Sequence, residues 1–183
     1  ALAAFIAGVL IVQTFGITKE IEIYFSAAII ILTIDRLFTL GAINEVILPI
    51  FLRIKEDQSI DDAMQYLSIF KNLFILSSII ILGILLISSD FILSTILVGF
   101  TSEEVSKSVN LFNILILFLP LKMFNGISAI PFRANKIYNV HEKTGLLNRI
   151  ILIIMLLIIG DTYGVSILIF GTILGICLRF VYI

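Results

Sequence analysis

The sequence predicts an all-α polytopic integral membrane protein with about six transmembrane helices. Three observations lead there. The 183 residues are 60% hydrophobic and only 14% charged, and the mean hydropathy is +1.19. A soluble domain needs far more hydrated surface than that. Six apolar stretches are separated by short polar breaks, and a bilayer core of about 30 Å needs about 20 apolar helical residues per crossing. Several of the breaks carry helix-start signals, which fixes where the crossings begin.

The first stretch, residues 1–15, reads as a helix whose start lies upstream, since ALAAFIAGVLIV has no basic region of the kind that opens a signal peptide. Ala3, Ala4, Ala7 and Gly8 form a small-residue face that lets another helix approach. Gly16 and residues 18–20 turn the chain. Residues 21–52 form the second helix, which at 1.5 Å per residue would span about 48 Å. It must tilt, project or bend, and Gly41 and Pro49 are the expected hinge points. Ser59, three before Asp62, opens a third helix expected to run to about residue 88. Residues 90–100 are apolar but too short to span, so they are expected to form a re-entrant or interfacial piece. Thr101 and Glu104 make a capping box that opens a fourth helix ending near Pro131, with Pro120 as a further hinge. The fifth helix ends near Gly160, and the sixth fills residues 165–183 with Gly171 and Gly175 as a packing face.

Charge placement carries the functional information. The net charge of −1 offers nothing to nucleic acid or to an acidic surface. Cys177 is the one cysteine, and the single histidine, His141, has no metal-binding or catalytic company in the sequence. No cofactor, metal site or catalytic constellation is expected. Along the second helix, Glu22, Ser26, Thr33, Arg36 and Asn44 recur at helical spacing and form a polar stripe. Each central charge costs about 2.5–3.5 kcal/mol to insert, so such residues normally face a cavity or a partner. The plainer alternative has Asp35, Arg36 and Glu45 pairing with one another or with neighbouring helices as structural glue. Arg36 is the leading candidate for binding phosphate, because a guanidinium grips its oxygens bidentately. Lys122, in the fourth helix, is a second candidate, with a snorkelling or paired lysine as its alternative. The basic residues Arg53, Lys55, Arg133, Lys136, Lys143 and Arg149 crowd two loops, while Lys19 and Lys107 lie in the opposite ones. Positive-inside then places the N-terminus in the cytoplasm.

Phe15, Gly16, Tyr24, Phe25, Ala27, Arg36, Phe38, Gly41, Ala42 and Pro49 fall without a gap on a motif that resembles the start of the MurJ/MviN-type lipid II flippases. These belong to the multidrug/oligosaccharidyl-lipid/polysaccharide exporter superfamily. Glu22 holds the acidic position, whereas Asp35 and Leu40 replace an arginine and a glutamate, and Ala7 and Gln13 stand where the family has arginines. Pro120, Asn135, Lys136, Leu146, Leu147 and Asn148 extend the resemblance more loosely.

The resemblance implies that residues 1–183 form the N-terminal six-helix lobe of a two-lobe transporter, with the second lobe absent. It implies a substrate, too: an undecaprenyl-pyrophosphate-linked cell-wall precursor, moved across the bacterial cytoplasmic membrane by alternating access and without covalent chemistry. The expected partners are that lipid-linked sugar pyrophosphate, membrane lipids and the C-terminal lobe. A flippase for a lipid-linked polysaccharide repeat and a non-transporting membrane scaffold are the other readings. A membrane-embedded transferase would need acidic or histidine clusters that the sequence lacks.

Overall fold

The computed structural model describes residues 2–137 and 139–182, all its regular elements helical. Helix α1 (Leu2–Phe15) stops at Gly16, whose φ of +61° is a left-handed conformation that costs glycine little. Thr18 is extended and leads into α2 (Lys19–Arg36). Glu20 and Glu22 in its first turn and Arg36 in its last suit the helix dipole. The helix then continues without a break as an 11-residue π-helical stretch (Leu37–Ile47) and as α3 (Leu48–Asp57). Pro49, in the first turn of α3, crowds the carbonyl one turn back and donates no hydrogen bond. Widening of the ladder just before it relieves that crowding, and Gly41, with nothing within 4 Å of an added Cβ, sits inside the widened stretch.

Helix α4 (Ile60–Ile96) starts at Ser59, whose hydroxyl accepts the Asp62 amide at 3.1 Å. It corrects the expected boundary. The third helix does not end near residue 88, and residues 90–96 continue it rather than forming a re-entrant piece. The polar run at Ser88–Asp90 does not end the ladder, because Ser89 bonds back to the Leu86 carbonyl at 3.0 Å and Thr95 to that of Phe91 at 2.7 Å. The chain leaves the helix at Leu97 and turns at Gly99, where φ is +94°. Thr101 and Glu104 complete a full capping box on α5 (Ser102–Ile116).

The expected fourth helix is three pieces: α5, then α6 (Leu119–Ser128) and α7 (Ile130–Ala134). Pro120 and Pro131 each sit in the first turn of the piece that follows a break, the place where a missing N–H costs least. Helix α8 (Asn139–Tyr163) runs three residues beyond Gly160 and ends at Gly164, where φ is +57°; α9 (Ser166–Tyr182) completes the chain.

One apolar core joins α2, α5, α6 and α9 through Ala27, Phe112, Ile116, Leu119 and Ile167, all completely buried. A second joins the π-helical stretch and α3 to α4 and α6 through Ile43, Phe51, Ala63 and Ile127. Helices α8 and α9 meet closely, since a Cβ on Gly171 would lie 2.7 Å from Leu152 and one on Gly175 would collide with the Asn148 amide. On the small-residue face of α1, Ala7 is buried, and an added Cβ on Gly8 would meet nothing within 4 Å. Large apolar side chains of α4, among them Leu76, Ile84, Ile87 and Phe91, are exposed, as lipid contact requires. Among the described residues, Lys19–Asp57, Ile60–Ile96 and Ser102–Ala134 are long and apolar enough to cross a membrane, and Phe5–Phe15, Gly145–Gly160 and Ser166–Val181 are shorter apolar helices. The protein is an all-α membrane protein.

Candidate functional site

A charge inside an apolar helix must find a partner, a cavity or the membrane surface. Asp35, in the last turn of α2, finds Lys122 of α6. Their ion pair measures 3.4 Å, with side chains 30% and 15% exposed. This is the pairing with a neighbouring helix that the glue reading allows, rather than pairing with Arg36 or Glu45. Neighbouring residues on a helix point about 100° apart, so Asp35 and Arg36 cannot both face α6. Of the two alternatives for Lys122, the paired lysine is the one observed, and the side chain turns inward rather than snorkelling.

The pair borders a cleft of about 320 Å³ between α2, α6, α7, α8 and α9, lined also by Asn125, Arg133, Asn148, Thr172, Gly175 and Arg179. Asn125 is 2% exposed and donates its amide to the Ile176 carbonyl at 3.0 Å. Thr172 meets the Tyr24 hydroxyl at 3.2 Å and bonds back to the Leu168 carbonyl at 2.8 Å, which ties α2 to α9. Arg133 donates to the Asn44 side chain, tying α7 to the π-helical stretch. Arg179 lies within the electrostatic reach of both Asp35 and Arg133. Three cations and one carboxylate therefore line the cleft among the described residues.

The structure distributes the other candidate residues differently. Glu22 pairs with Lys19 at 2.8 Å at the opposite end of α2, Ser26 bonds back to the Glu22 carbonyl at 2.7 Å, and exposed Thr33 bonds back to Ile29 at 2.8 Å. Arg36 is exposed and makes no hydrogen bond or ion pair with another described residue. Asn44 lies beyond the onset of the π-helical stretch, where the spacing of an α-helix no longer sets which way a side chain points. The side chains of Leu40 and His141 lie outside the described residues.

Sequence reasoning placed Arg133 in a basic loop and singled out neither Asn125 nor Arg179 as lining. A signal was present: Thr172, Gly175, Ile176 and Arg179 follow an i, i+3, i+4, i+7 rhythm along the last helix. Three of the four, Thr172, Gly175 and Arg179, are small or polar, in a largely apolar helix. A second polar cleft, wider and of about 800 Å³, opens at the other end of the bundle around Glu20, Glu103, Lys107 and Ser166.

Comparison with known proteins gives one family. No curated protein matches the chain. The family model described as "Lipid II flippase MurJ" matches residues 11–183. That span takes in every helix that lines the charged cleft, and by it the chain belongs to the lipid II flippase MurJ family.

Proposed function

We propose that this chain is one lobe of a flippase that carries a lipid-linked sugar pyrophosphate, lipid II, from the inner to the outer leaflet of the bacterial cytoplasmic membrane by alternating access. The N-terminus lies on the cytoplasmic side in this reading. Family membership supports a transporter rather than an enzyme. The observation that carries the substrate reading is Arg36, a guanidinium left exposed and without a described partner on a long apolar helix. Insertion of such a charge costs about 2.5–3.5 kcal/mol at mid-helix, and a pyrophosphate passing along α2 would recover that cost through bidentate hydrogen bonds. Glu22, Ser26 and Thr33 complete the proposed path, Lys122 and Asn44 being engaged on the cleft side instead, and Gly41, Pro49 and Pro120 are its proposed hinges. A lipid-linked polysaccharide repeat is the second reading, favoured by Ala7, Gln13 and Asp35, which stand where the family has arginines.

The test is transport by the full-length protein in proteoliposomes, with fluorescent lipid II and a lipid-linked repeat unit as competing substrates. Arg36→Lys should slow transport because a point charge lacks the fork geometry. Arg36→Ala should abolish it at unchanged membrane levels. Wild-type transport by Arg36→Ala would overturn the role given to this residue.

A further inference from the structure

We infer that Glu45 is a second contact on the cargo of this transporter: a carboxylate on the same helix face as Arg36 that reads an amine on the head of a lipid-linked pyrophosphate. Helical phase puts it there. In an α-helix of about 3.6 residues per turn, positions seven and eleven apart share a face, and positions nine apart oppose one another. Ile43 and Ile47 would then share the face of Arg36, with Glu45 behind. Burial shows the reverse: Ile43 is 0% and Ile47 1% exposed, in one core with Phe51 and Ile127, while Arg36 and Glu45 are both exposed. The π-helical stretch Leu37–Ile47 accounts for this. Its i→i+5 bonds put about four and a half residues in each turn, so nine positions make about two whole turns, and seven or eleven fall about half a turn out. The widened ladder therefore turns the two isoleucines into the bundle and brings Glu45 round to the side of Arg36.

Glu45 is the one charge between Arg36 and Arg53 in the sequence, and neither it nor Arg36 makes a hydrogen bond or ion pair with another described residue. A carboxylate in an apolar helix is costly unless water or a ligand meets it. Asn44, next to it in sequence, is held by Arg133 on the cleft side instead. The exposed face thus offers a cation and an anion about 10 Å apart, taking each turn to rise about 5 Å as in an α-helix. Charge complementarity calls for a ligand with an oxyanion and, at a similar distance from it, an ammonium. A pyrophosphate that carries an amine-bearing peptide has both, whereas one that carries a neutral sugar repeat has only the first. The inference rests on the proposed function for the phosphate at Arg36, and Glu45 is what would separate the two substrate readings given there.

Transport is measured on the full-length protein in proteoliposomes, with radiolabelled lipid II whose peptide carries a free amine and the same lipid N-acetylated at that amine. The free amine should lower KM about threefold to fivefold at unchanged kcat, the effect of one exposed ion pair on binding. Glu45→Gln should remove that preference, Glu45→Asp should keep most of it, and Glu45→Lys should reverse it. Asn44→Ala should keep it in full. Phase is read separately: with Cys177 replaced, Glu45→Cys should react with N-ethylmaleimide and Ile47→Cys should stay unlabelled. Equal KM for the two lipids, a preference that survives Glu45→Gln, or labelling of Ile47→Cys ahead of Glu45→Cys would overturn the inference. If Arg36→Ala abolishes transport while the two lipids share one KM, the flippase reading stands and Glu45 has no part in it. If Arg36→Ala transports normally while Glu45→Gln still removes the preference, the phosphate role of Arg36 fails and Glu45 stands. Should neither lipid be transported, binding of the same two lipids to the protein in nanodiscs decides: a preference lost in Glu45→Gln supports Glu45 without the flippase reading, and no preference overturns both.

Discussion

The Asp35–Lys122 pair should behave as a coupled unit, and Asp35 with Arg36 should not. At an effective dielectric near 20, opposite charges 3.4 Å apart attract by about 5 kcal/mol before desolvation is subtracted. Asp35 is 30% exposed and the cleft admits water, so much of that attraction is offset. The net value should fall between an exposed pair, worth about 0–1 kcal/mol, and the loss of one partner from a fully buried pair, about 3–5 kcal/mol. Asp35→Asn removes the carboxylate that faces Lys122 in the described cleft wall, and should cost about 2 kcal/mol. In a protein of this size that lowers the melting temperature by about 4–8 °C. Lys122→Met should cost less, because Arg179 still acts on Asp35. The assay is thermal melting of the detergent-solubilised protein followed by size-exclusion chromatography, run as two double-mutant cycles. Asp35→Asn with Lys122→Met should fall short of the summed single losses by at least about 1 kcal/mol, whereas Asp35→Asn with Arg36→Gln should add to within about 0.5 kcal/mol. Additivity in the first cycle would refute the pairing, and strong coupling in the second would restore Arg36 as the partner.

Three further outcomes follow from local geometry and charge placement. Gly175→Ala drives a Cβ into the Asn148 amide and should destabilise by about 1–3 kcal/mol through overpacking, while Gly145→Ala, with nothing within 4 Å of the new Cβ, should be neutral or stabilising in the same melt. Thr101→Ala removes a hydroxyl that accepts the Glu104 amide at 3.3 Å and should cost about 1 kcal/mol; a proteolysis assay of the preceding loop reads the fraying. With Cys177 replaced, single cysteines at Lys19 and Ser102 should react with an impermeant thiol reagent in intact cells, and one at Gln58 should not. Labelling of Gln58 from outside would invert the proposed orientation.

The membrane class and helix starts were legible in the sequence because they depend on composition and on capping within a few residues, as at Ser59 and Thr101. The α4 terminus was not. Ser88–Asp90 reads as a polar break, and only the back-bonding of Ser89 to its own helix shows why the ladder survives it. The polar stripe on the second helix was read with an α period that the π-helical stretch interrupts before Asn44. Lys122 was found as a candidate, but the partner that turns it inward lies 87 positions away in sequence, on α2. Arg179 and Asn125 needed the packing of α9 against α6 to become neighbours, and periodicity within one helix does not supply that.

Helix α4 has a consequence for the surrounding lipid. Its 37 residues run without proline, a length of about 56 Å at 1.5 Å per residue. Hydrocarbon and headgroup layers together measure about 40–45 Å. To fit inside them, the helix would lean by roughly 37–44°, at or beyond the upper end of the tilts that transmembrane helices adopt. The helix from Lys19 to Asp57 has a widened stretch and a proline with which to bend, but α4 has Gly83 as its single glycine and no comparable joint. A change in bilayer thickness would therefore reach the bundle as rigid tilting of α4, levering the core around Ala63 and Leu67 at its start against that around Leu93 near its end. Acyl-chain length thus becomes a mechanical input to this protein, applied through its longest regular α-helix among the described residues.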